Sequence, residues 1–289
     1  MPPSSWPPTW LIIGLLMTET LPPLREVIRR HNLGARRSLG QHFLLDLNLC
    51  SRIARASGDL SQSNVIEIGP GPGGLTRALL EAGAAVVTAI ELDERCVAAL
   101  EELVPVYPKR LRVVKGDALG MDIPALVSAP RRIVANLPYN IATPLLIRWL
   151  KQIADFEKLT CMFQREVADR LAAHPRTKDY GRLSVMTQWL CEVRHEFNVS
   201  REAFTPPPKV ASSVVTLTPR PRPLAPAGWD AMETVTKAAF GQRRKMLRSS
   251  IKALNLDMES LGINPAARAE ELDIEQFCVL ARALEASRQ

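Results

Sequence analysis

Apolar positions along the chain form short, nearly continuous runs separated by longer segments with helical spacing. The runs that predict strands cover residues 65–68, 85–90, 111–114, 133–135 and 159–163. They are apolar throughout rather than alternating, which is typical of parallel strands buried on both faces. Helical segments lie between most of them, so the pattern indicates an α/β fold with a doubly wound, mostly parallel, Rossmann-like sheet.

The pattern changes after residue 191. Residues 192–199 and 212–218 predict two further strands that suit an antiparallel hairpin at one end of the sheet. A connector with four prolines between residues 219 and 226 then leads into helices, which begin near Trp229. We therefore expect a large domain over residues 24–219 and a small helical domain over residues 220–289.

The N-terminal 23 residues differ from the rest. Residues 1–8 are rich in proline, and residues 10–17 form a short apolar run with no Lys or Arg before it. Neither a secretory signal nor a membrane span has this pattern. We expect residues 1–23 to be a disordered or non-native extension, and Met17 is a candidate for the natural start.

Composition adds two constraints. The net charge of +7 over 289 residues is compatible with an anionic partner, although it is weak evidence alone. The five cysteines are scattered, without the paired spacing of a zinc site or a disulfide framework. We therefore expect reduced thiols and no metal site.

The first candidate for chemistry is a glycine turn directly after the first predicted strand. Gly69, Gly71 and Gly74 satisfy the pattern G-x-G-x-x-G and precede a predicted helix. Such a turn lets a ligand approach the backbone closely, but it also fits a dinucleotide site or a purely structural turn. Glu67 before the turn and the prolines within it favour a cofactor with a cationic aminoacyl end, S-adenosylmethionine.

Acidic residues follow the next two predicted strands. Glu91 lies 22 residues beyond Gly69, where a carboxylate can accept hydrogen bonds from both ribose hydroxyls. Asp117 follows the third strand and can accept from an adenine amine, although a lone acid there also fits a solvated loop. Asp93 is expected to be the N-cap of the helix after Glu91.

The fourth strand leads into Asn136-Leu137-Pro138-Tyr139. The adenine amine is a poor nucleophile because its lone pair is delocalised into the ring, and two acceptors for its hydrogens draw that pair toward an incoming methyl group. The Asn136 side chain and the Leu137 carbonyl can provide them, Pro138 fixes the turn, and Tyr139 offers a ring for stacking. A plain turn would also fit, but all four motifs follow successive strands, where one pocket would collect them.

Positive charge is concentrated in two segments. Residues 234–256 hold six basic side chains and no acidic one, and residues 25–37 hold five arginines and only one acidic residue. As a helix, the first segment would have an apolar face of Leu247, Ile251 and Leu254 and a basic face of Arg244, Lys245, Arg248 and Lys252. A basic face suits RNA phosphates, although many charge runs are only solvated.

These motifs resemble those of the small-subunit ribosomal RNA adenine dimethyltransferases of the KsgA type, over about residues 24–285. The matching segments are residues 39–44, 67–74, 90–93, 116–118, 136–140, 204–210 and 240–248. The resemblance implies a class I methyltransferase fold and S-adenosylmethionine as the cofactor. It also implies dimethylation of two adjacent adenosines in a hairpin loop near the 3′ end of the small-subunit rRNA, with a role in subunit biogenesis.

The resemblance implies cofactor contacts for several residues. His42 and Leu44 match the segment that closes over the methionine part of the cofactor. Gly69, Glu91 and Asp117 match the glycine turn, the ribose ligand and the adenine ligand. His42 departs from the family pattern, in which Asn is more frequent, so the contact there is expected to differ in chemistry or to come from the backbone.

The resemblance also implies how the target base is held. Asn136 would lie beside the cofactor and hold the amine, together with Leu137 and Pro138. Tyr139 and Phe204 match two aromatic residues that sandwich the flipped base.

The implied partner is the small ribosomal subunit with its rRNA, and we expect a monomeric cytoplasmic enzyme with no membrane contact. Three other functions stay open: a large-subunit rRNA methyltransferase of the macrolide-resistance type, a nicotinamide oxidoreductase, and a non-catalytic ribosome assembly or RNA-binding factor. Residues 204–210 and 240–248 favour the small-subunit type over the first. Asn136 and Tyr139 have no role in the second, and their presence beside Glu91 argues against the third.

Overall fold

The predicted alternation of strands and helices is confirmed by the structure, a computed structural model that describes residues 21–36 and 40–288. The strands are β1 (Phe43–Leu44), β2 (Asn64–Ile68), β3 (Val86–Glu91), β4 (Leu111–Lys115), β5 (Arg131–Asn136), β6 (Lys158–Gln164), β7 (Cys191–Val199), β8 (Phe204–Thr205) and β9 (Ser212–Pro219). The helices are α1 (Leu24–Arg30), α2 (Leu47–Ala56), α3 (Gly74–Glu81), α4 (Glu94–Glu101), α5 (Ile123–Leu126), α6 (Tyr139–Lys151), α7 (Arg165–Ala172), α8 (Arg182–Leu190), α9 (Trp229–Gly241), α10 (Leu247–Ser250) and α11 (Ile274–Ala286).

The expectation of a disordered or non-native extension, with Met17 as a start, concerns residues that lie almost wholly outside the described ones. None of the described helices is both long and apolar enough to cross a membrane.

The main sheet has seven strands in the order β4-β3-β2-β5-β6-β9-β7. Strands β4 to β6 are parallel, and β9 and β7 add an antiparallel edge, which confirms the predicted fold class and hairpin. The order reverses between β2 and β5, because β3 and β4 extend the sheet to one side and β6 to the other. In open α/β sheets, ligands bind at the carboxyl ends of the strands at such a switch point.

The sheet is buried on both faces by two separate hydrophobic clusters. Successive residues of one strand alternate between them: Val65 and Val134 belong to the cluster with α2 and α3, whereas Ile66, Ile133 and Ala135 belong to the cluster with α6 and α8. This alternation with apolar residues on both sides explains why the strands are apolar throughout.

The C-terminal helices share the second of these clusters. Met232 and Val235 of α9 and Phe277 of α11 belong to the same cluster as Ile133 in the sheet. The rings of Phe240 and Phe277 stack with their centroids 5.5 Å apart. The helical part therefore packs against α8 and shares a hydrophobic core with the sheet on the side of α6 and α8.

The single helix predicted across the basic residues is wrong. Helix α9 ends at Gly241, residues 242–244 form turns, and Met246 pairs with Arg268 in an isolated bridge. Only the short α10 and a 3₁₀ turn, Lys252–Leu254, follow. The backbone N–H groups of Leu247 and Arg248 donate to the carbonyls of Ala267 and Pro265. These tertiary hydrogen bonds replace helical ones, and Leu247 and Ile251 still reach the core as predicted.

Two glycines of the turn after β2 are packed tightly by segments distant in sequence. Gly69 has a left-handed φ of +65°, and a Cβ there would lie 3.3 Å from the ring of Pro138. A Cβ on Gly74 would come within 2.8 Å of the Leu44 carbonyl oxygen. The turn therefore needs glycine both for its conformation and for the close approach of these two segments.

Replacing Gly74 with Ala should push β1 away from the glycine turn. We expect Gly74→Ala to lower the free energy of unfolding by about 1–3 kcal/mol, since an overpacked contact against backbone cannot relax easily. Denaturant unfolding measures this. The matched control is Gly241→Ala, at the end of α9, where a Cβ meets no atom within 4 Å and stability should be unchanged or slightly higher. Wild-type stability in Gly74→Ala would contradict the tight packing.

Candidate active site

A cavity of about 310 Å³ opens at the switch point, above the carboxyl ends of β2, β3, β4 and β5. Its walls contain every predicted cofactor-binding residue and most of the predicted base-binding ones. These are His42, Leu44, Gly69, Glu91, Asp117, Asn136, Leu137, Pro138 and Tyr139. The structure thus collects in one place the motifs that the sequence spreads over about a hundred residues.

Glu91 is held by the backbone at the end of β3. It is buried, and its Oε1 accepts from the N–H groups of Leu92 and Asp93 at 2.8 Å, while its Oε2 accepts from the Gly71 N–H at 3.0 Å. Burial raises the pKa of Glu91, and these three hydrogen bonds oppose that effect. They occupy three of the roughly four acceptor positions of a carboxylate, so the group is fixed in place while Oε2 keeps room for a ligand hydroxyl.

Asp93 is the N-cap of α4, as predicted, since its side chain accepts from the Arg95 N–H. The Arg95 guanidinium also bonds its carboxylate at 2.7 Å and donates to the carbonyls of Asn32 and Gly34. Hydrogen bonds from Arg95, with one from Gln41, lower the pKa of Asp93 to about 2. A permanently ionised Asp93 therefore ties the N-terminal segment to the loop beside Glu91.

The far end of the cavity combines one free carboxylate oxygen with an apolar surface. Asp117 is exposed, and its Oδ1 accepts from the Leu119 N–H at 2.9 Å, which leaves Oδ2 available. Leu92 is 50% exposed although apolar, and it lines the cavity with Ala118 and Leu119. Leu92 was not predicted as a site residue from the sequence. The only indication there was an apolar residue between two acidic ones, Glu91 and Asp93. This end suits a flat heteroaromatic ring with an amine at its edge.

The Asn136 amide is oriented by the backbone of the segment opposite. Its Nδ2 donates to the carbonyl oxygen of His42 at 3.3 Å. A carbonyl can only accept, so this contact assigns the nitrogen of the amide to His42 and leaves Oδ1 as a free acceptor. No described backbone N–H donates to the neighbouring Leu137 carbonyl. Among the described residues, these two acceptors at the end of β5 therefore have no hydrogen-bond donor.

Tyr139 is fixed in the cavity wall at both ends of its side chain. Its hydroxyl bonds the Ser212 hydroxyl at 2.5 Å, and its ring lies 5.6 Å from the ring of His42. The Nδ1 of His42 in turn bonds the Pro206 carbonyl at 2.8 Å. Ser212, on β9, carried no signal in the sequence.

Phe204 lies in a different environment from the other predicted site residues. It is 2% exposed, pairs with Leu44 through the β1–β8 ladder, and belongs to the hydrophobic cluster on the α2 and α3 side. It is not among the residues that border the cavity. To stack on a base, its ring would have to be uncovered, so its predicted role stays a prediction.

Glu67 lies beneath the glycine turn and is almost fully buried. The Thr76 hydroxyl donates to its Oε2 at 2.6 Å. Burial and, to a smaller extent, the nearby Glu91 together raise the pKa of Glu67 to about 8, against the opposing effect of that hydrogen bond. At neutral pH this carboxyl is therefore mostly protonated, and the cavity floor carries less negative charge than its residues would indicate.

The proton on Glu67 makes folding sensitive to pH. Between the ordinary pKa of a glutamate and about 8, the folded protein keeps a proton that the unfolded chain releases. The free energy of unfolding should therefore fall as pH rises through this window, by up to about 1.4 kcal/mol per pH unit, and level off above it.

Glu67→Gln should remove this dependence while keeping an acceptor for Thr76. Denaturant unfolding between pH 5 and pH 8 measures it. Glu81→Gln, at the exposed end of α3, is the control and should keep the wild-type slope. Identical slopes in wild type and Glu67→Gln would show that Glu67 is ionised throughout.

The fold and this cavity define a class I methyltransferase. The strands have the order of such a sheet, with an antiparallel hairpin at one edge. The site combines a glycine turn, a glutamate at the end of a strand and an Asn-x-Pro-Tyr sequence.

Among solved structures, a dimethyladenosine transferase from Plasmodium falciparum is similar, with a TM-score of 0.76, 27% identity, and coverage of 86% of this chain and 98% of that one. The 23S rRNA methyltransferase ErmE is similar with a TM-score of 0.64, 30% identity, and coverage of 84% and 99%.

Sequence comparison identifies the family. The family described as ribosomal RNA adenine dimethylase matches residues 32–286. A protein of Rhodospirillum rubrum named ribosomal RNA small subunit methyltransferase A is 64% identical over 92% of this chain and 94% of its own length. The protein of that name from Paramagnetospirillum magneticum is 63% identical over 92% and 96%. The chain belongs to the ribosomal RNA adenine dimethylase family, which confirms the resemblance, and its cofactor is S-adenosylmethionine.

Proposed function

We propose that this protein dimethylates the N6 amines of two adjacent adenosines in a hairpin loop near the 3′ end of small-subunit rRNA, and so takes part in subunit biogenesis. The observation that carries the proposal is the Asn136 amide, whose bond to the His42 carbonyl leaves Oδ1 facing no other described partner. The names of the relatives from R. rubrum and P. magneticum support the choice of RNA.

The residues of the cavity fit S-adenosylmethionine. When bound, it supplies an electrophilic methyl group on a positively charged sulfur. Glu91 holds the ribose through the remaining acceptor position of its carboxylate, and Asp117 accepts from the adenine amine with Oδ2. Gly69 lets the backbone approach the aminoacyl end, and His42 and Leu44 cover the methionine part. His42 acts here through its carbonyl, which orients Asn136.

The target adenine is activated by two acceptors and positioned by one ring. In the first transfer, Asn136 Oδ1 and the Leu137 carbonyl accept the two amine hydrogens, which raises the electron density of the nitrogen lone pair toward the methyl group; in the second, one of them accepts the single hydrogen of the monomethylated amine. Tyr139, held by Ser212, stacks on the base, and Pro138 fixes the turn that presents both acceptors. Phe204 stacks on the opposite face of the base after the residues that bury its ring have moved away. Methyl transfer gives a cationic ammonium, which is strongly acidic and loses a proton to water, so no general base is required.

Replacing Asn136 with Ala removes one of the two acceptors. We expect kcat for methylation of unmethylated small-subunit particles to fall about 10²–10³-fold, the usual effect of losing one such hydrogen-bonding group. Methyl incorporation from labelled S-adenosylmethionine, mapped on both rRNAs, measures it. The control is Asn64→Ala, which removes an amide at the opposite end of the sheet, bonded to the Ser128 carbonyl, and should keep wild-type kcat.

Normal methylation by Asn136→Ala would contradict this mechanism. Methylation of large-subunit particles instead of small-subunit ones would favour the alternative of the macrolide-resistance type, for which the similarity to ErmE is the supporting observation.

We further propose that residues 24–219 form the cofactor-binding domain and residues 220–289 an RNA-binding domain. Four side chains carry the RNA contact, and all are exposed: Arg244, Lys245, Arg248 and Lys252. None of them forms an ion pair with a described acidic side chain, whereas the adjacent Arg243 binds Glu270 at 2.7 Å. Unpaired basic side chains are free to bind phosphates. The arginines near the N-terminus are a second contact, and the protein acts as a cytoplasmic monomer.

Neutralising two of these side chains should weaken RNA binding. We expect the double variant Arg244→Gln and Arg248→Gln to bind small-subunit particles more weakly. Its binding constant should also depend less on salt, with the magnitude of the negative slope of log K against log salt reduced by about 1–2. Cofactor affinity should not change. Filter binding at several salt concentrations measures it.

The control neutralises two exposed charges outside the C-terminal helices, Arg55 on α2 and Lys109 in the turn before β4. The double variant Arg55→Gln and Lys109→Gln should keep the wild-type slope. An equal loss of cofactor affinity in the first variant would indicate misfolding and contradict a specific RNA contact.

A further inference from the structure

One wall of the active-site cavity, residues 40–44, belongs to an N-terminal segment that packs lightly on α4. The packing uses a small hydrophobic cluster, separate from the two that cover the sheet, with five buried members: Val27, Leu33, Phe43, Cys96 and Ala99. Cys96 and Ala99 lie on α4, and the other three precede the cavity wall or belong to it. So small a cluster buries little apolar surface, and we therefore expect polar contacts to decide how firmly the segment is held.

Arg95, on α4, binds the backbone of this segment. Its Nη1 donates to the carbonyl oxygen of Asn32 at 2.8 Å, and its Nη2 donates to that of Gly34 at 3.2 Å. The other side of the guanidinium binds both carboxylate oxygens of Asp93, at 3.1 Å and 2.7 Å. The five N–H groups of an arginine lie in a fixed fork, so a single side chain holds three acceptors in one arrangement.

Asp93 extends this contact to the cavity wall. Its Oδ2 also accepts from the side-chain amide of Gln41 at 3.1 Å, and Gln41 borders the cavity. The Oε1 of Gln41 in turn accepts from the backbone N–H of Arg36 at 2.9 Å. Only 1% of the Asp93 side chain is exposed, so water competes little for these hydrogen bonds. Arg95 thus holds the segment both directly and through Asp93.

The same contacts reach both halves of the proposed site. The Asp93 N–H donates to Glu91, the proposed ribose ligand, at 2.8 Å. The His42 carbonyl, which orients Asn136, lies in the wall that Arg95 holds. Arg95 itself is not among the described residues that border the cavity. Any effect of Arg95 on the cofactor must therefore act through these neighbours.

We propose that Arg95 is a positioning residue for S-adenosylmethionine, which holds residues 40–44 in the binding conformation before the cofactor arrives. Because this wall is already formed, cofactor binding does not have to order it, and the affinity is higher. Once the cofactor is bound, its own contacts with the wall keep the wall in place. The proposal rests on the proposed function, in which His42 and Leu44 cover the methionine part of the cofactor.

Replacing Arg95 with Gln should separate cofactor affinity from turnover. We expect Kd for S-adenosylmethionine to rise about five- to tenfold, the usual effect of losing one or two hydrogen bonds, because fewer molecules have the wall formed. At saturating cofactor, kcat should stay within about twofold of wild type, since bound cofactor restores the wall. Calorimetry measures Kd, and methyl incorporation measures kcat. Arg95→Lys keeps the charge beside Asp93 without the fork, so its Kd should lie between the two.

Arg110 provides the matched control. Its guanidinium also bonds two backbone carbonyls, those of Leu80 and Ala84 at 2.7 Å and 2.9 Å, and none of these three residues is among the described ones that border the cavity. Arg110→Gln should lower Tm as Arg95→Gln does, but keep the wild-type Kd. Without cofactor, the amides of residues 40–44 should exchange hydrogen faster in Arg95→Gln and at the wild-type rate in Arg110→Gln. Equal rises of Kd in the two variants would indicate general destabilisation and overturn the proposal.

A double-mutant cycle tests the route through Asp93. Gln41→Leu breaks the same connection as Arg95→Gln, so together they should raise Kd by less than the product of their single effects. A full product would overturn this route.

An unchanged Kd and unchanged exchange of residues 40–44 in Arg95→Gln, with Asn136→Ala inactive, would overturn the positioning role and leave the proposed function intact. Failure of the wild type to methylate particles would overturn the proposed function itself.

Discussion

The contact between Gly69 and the ring of Pro138 is the constraint on which the site depends. The two residues lie just after β2 and β5, the neighbouring strands between which the sheet reverses its order. With any side chain at position 69, the two loops would have to separate. Because they touch, the glycine turn and the Asn136–Tyr139 segment share one wall of the cavity. If the proposed function holds, the spacing between the methyl donor and the target amine would be set by this contact with the rigid Pro138 ring rather than by a flexible side chain.

The charge of the cavity is arranged around a cationic ligand without being strongly negative. Glu67 keeps its proton near neutral pH, and Glu91 has most of its acceptor positions filled by backbone N–H groups. Asp117 is left as an exposed carboxylate at the far end. A cavity with three free carboxylates would repel the phosphates of RNA, whereas this one can accept a polyanion beside a sulfonium.

Much of the fold and of the site could be predicted because both rest on local patterns. Apolar runs mark strands buried on both faces, and the ends of successive parallel strands must meet at one edge of the sheet, so Glu91, Asp117 and Asn136 were predicted to lie together. Contacts between distant segments left no such pattern. Ser212 holds Tyr139 from a strand more than seventy residues away. The segment with the basic residues does not form the predicted helix, because its backbone N–H groups bond the carbonyls of residues 265 and 267 instead. Phe204 is buried because β8 pairs with β1. Strands of only two residues leave no recognisable pattern in the sequence, so this pairing could not be predicted.

The orientation of Asn136 by the His42 carbonyl bears on how position 42 varies. Every residue type carries the same main-chain oxygen there, so the side chain can drift from Asn to His without disturbing the amide it orients. A search pattern that demands Asn at this position would pass over the present chain, although the atom that matters for Asn136 is intact. The position of the oxygen that orients Asn136 is then set by the path of the main chain, which β1 and its pairing with β8 determine.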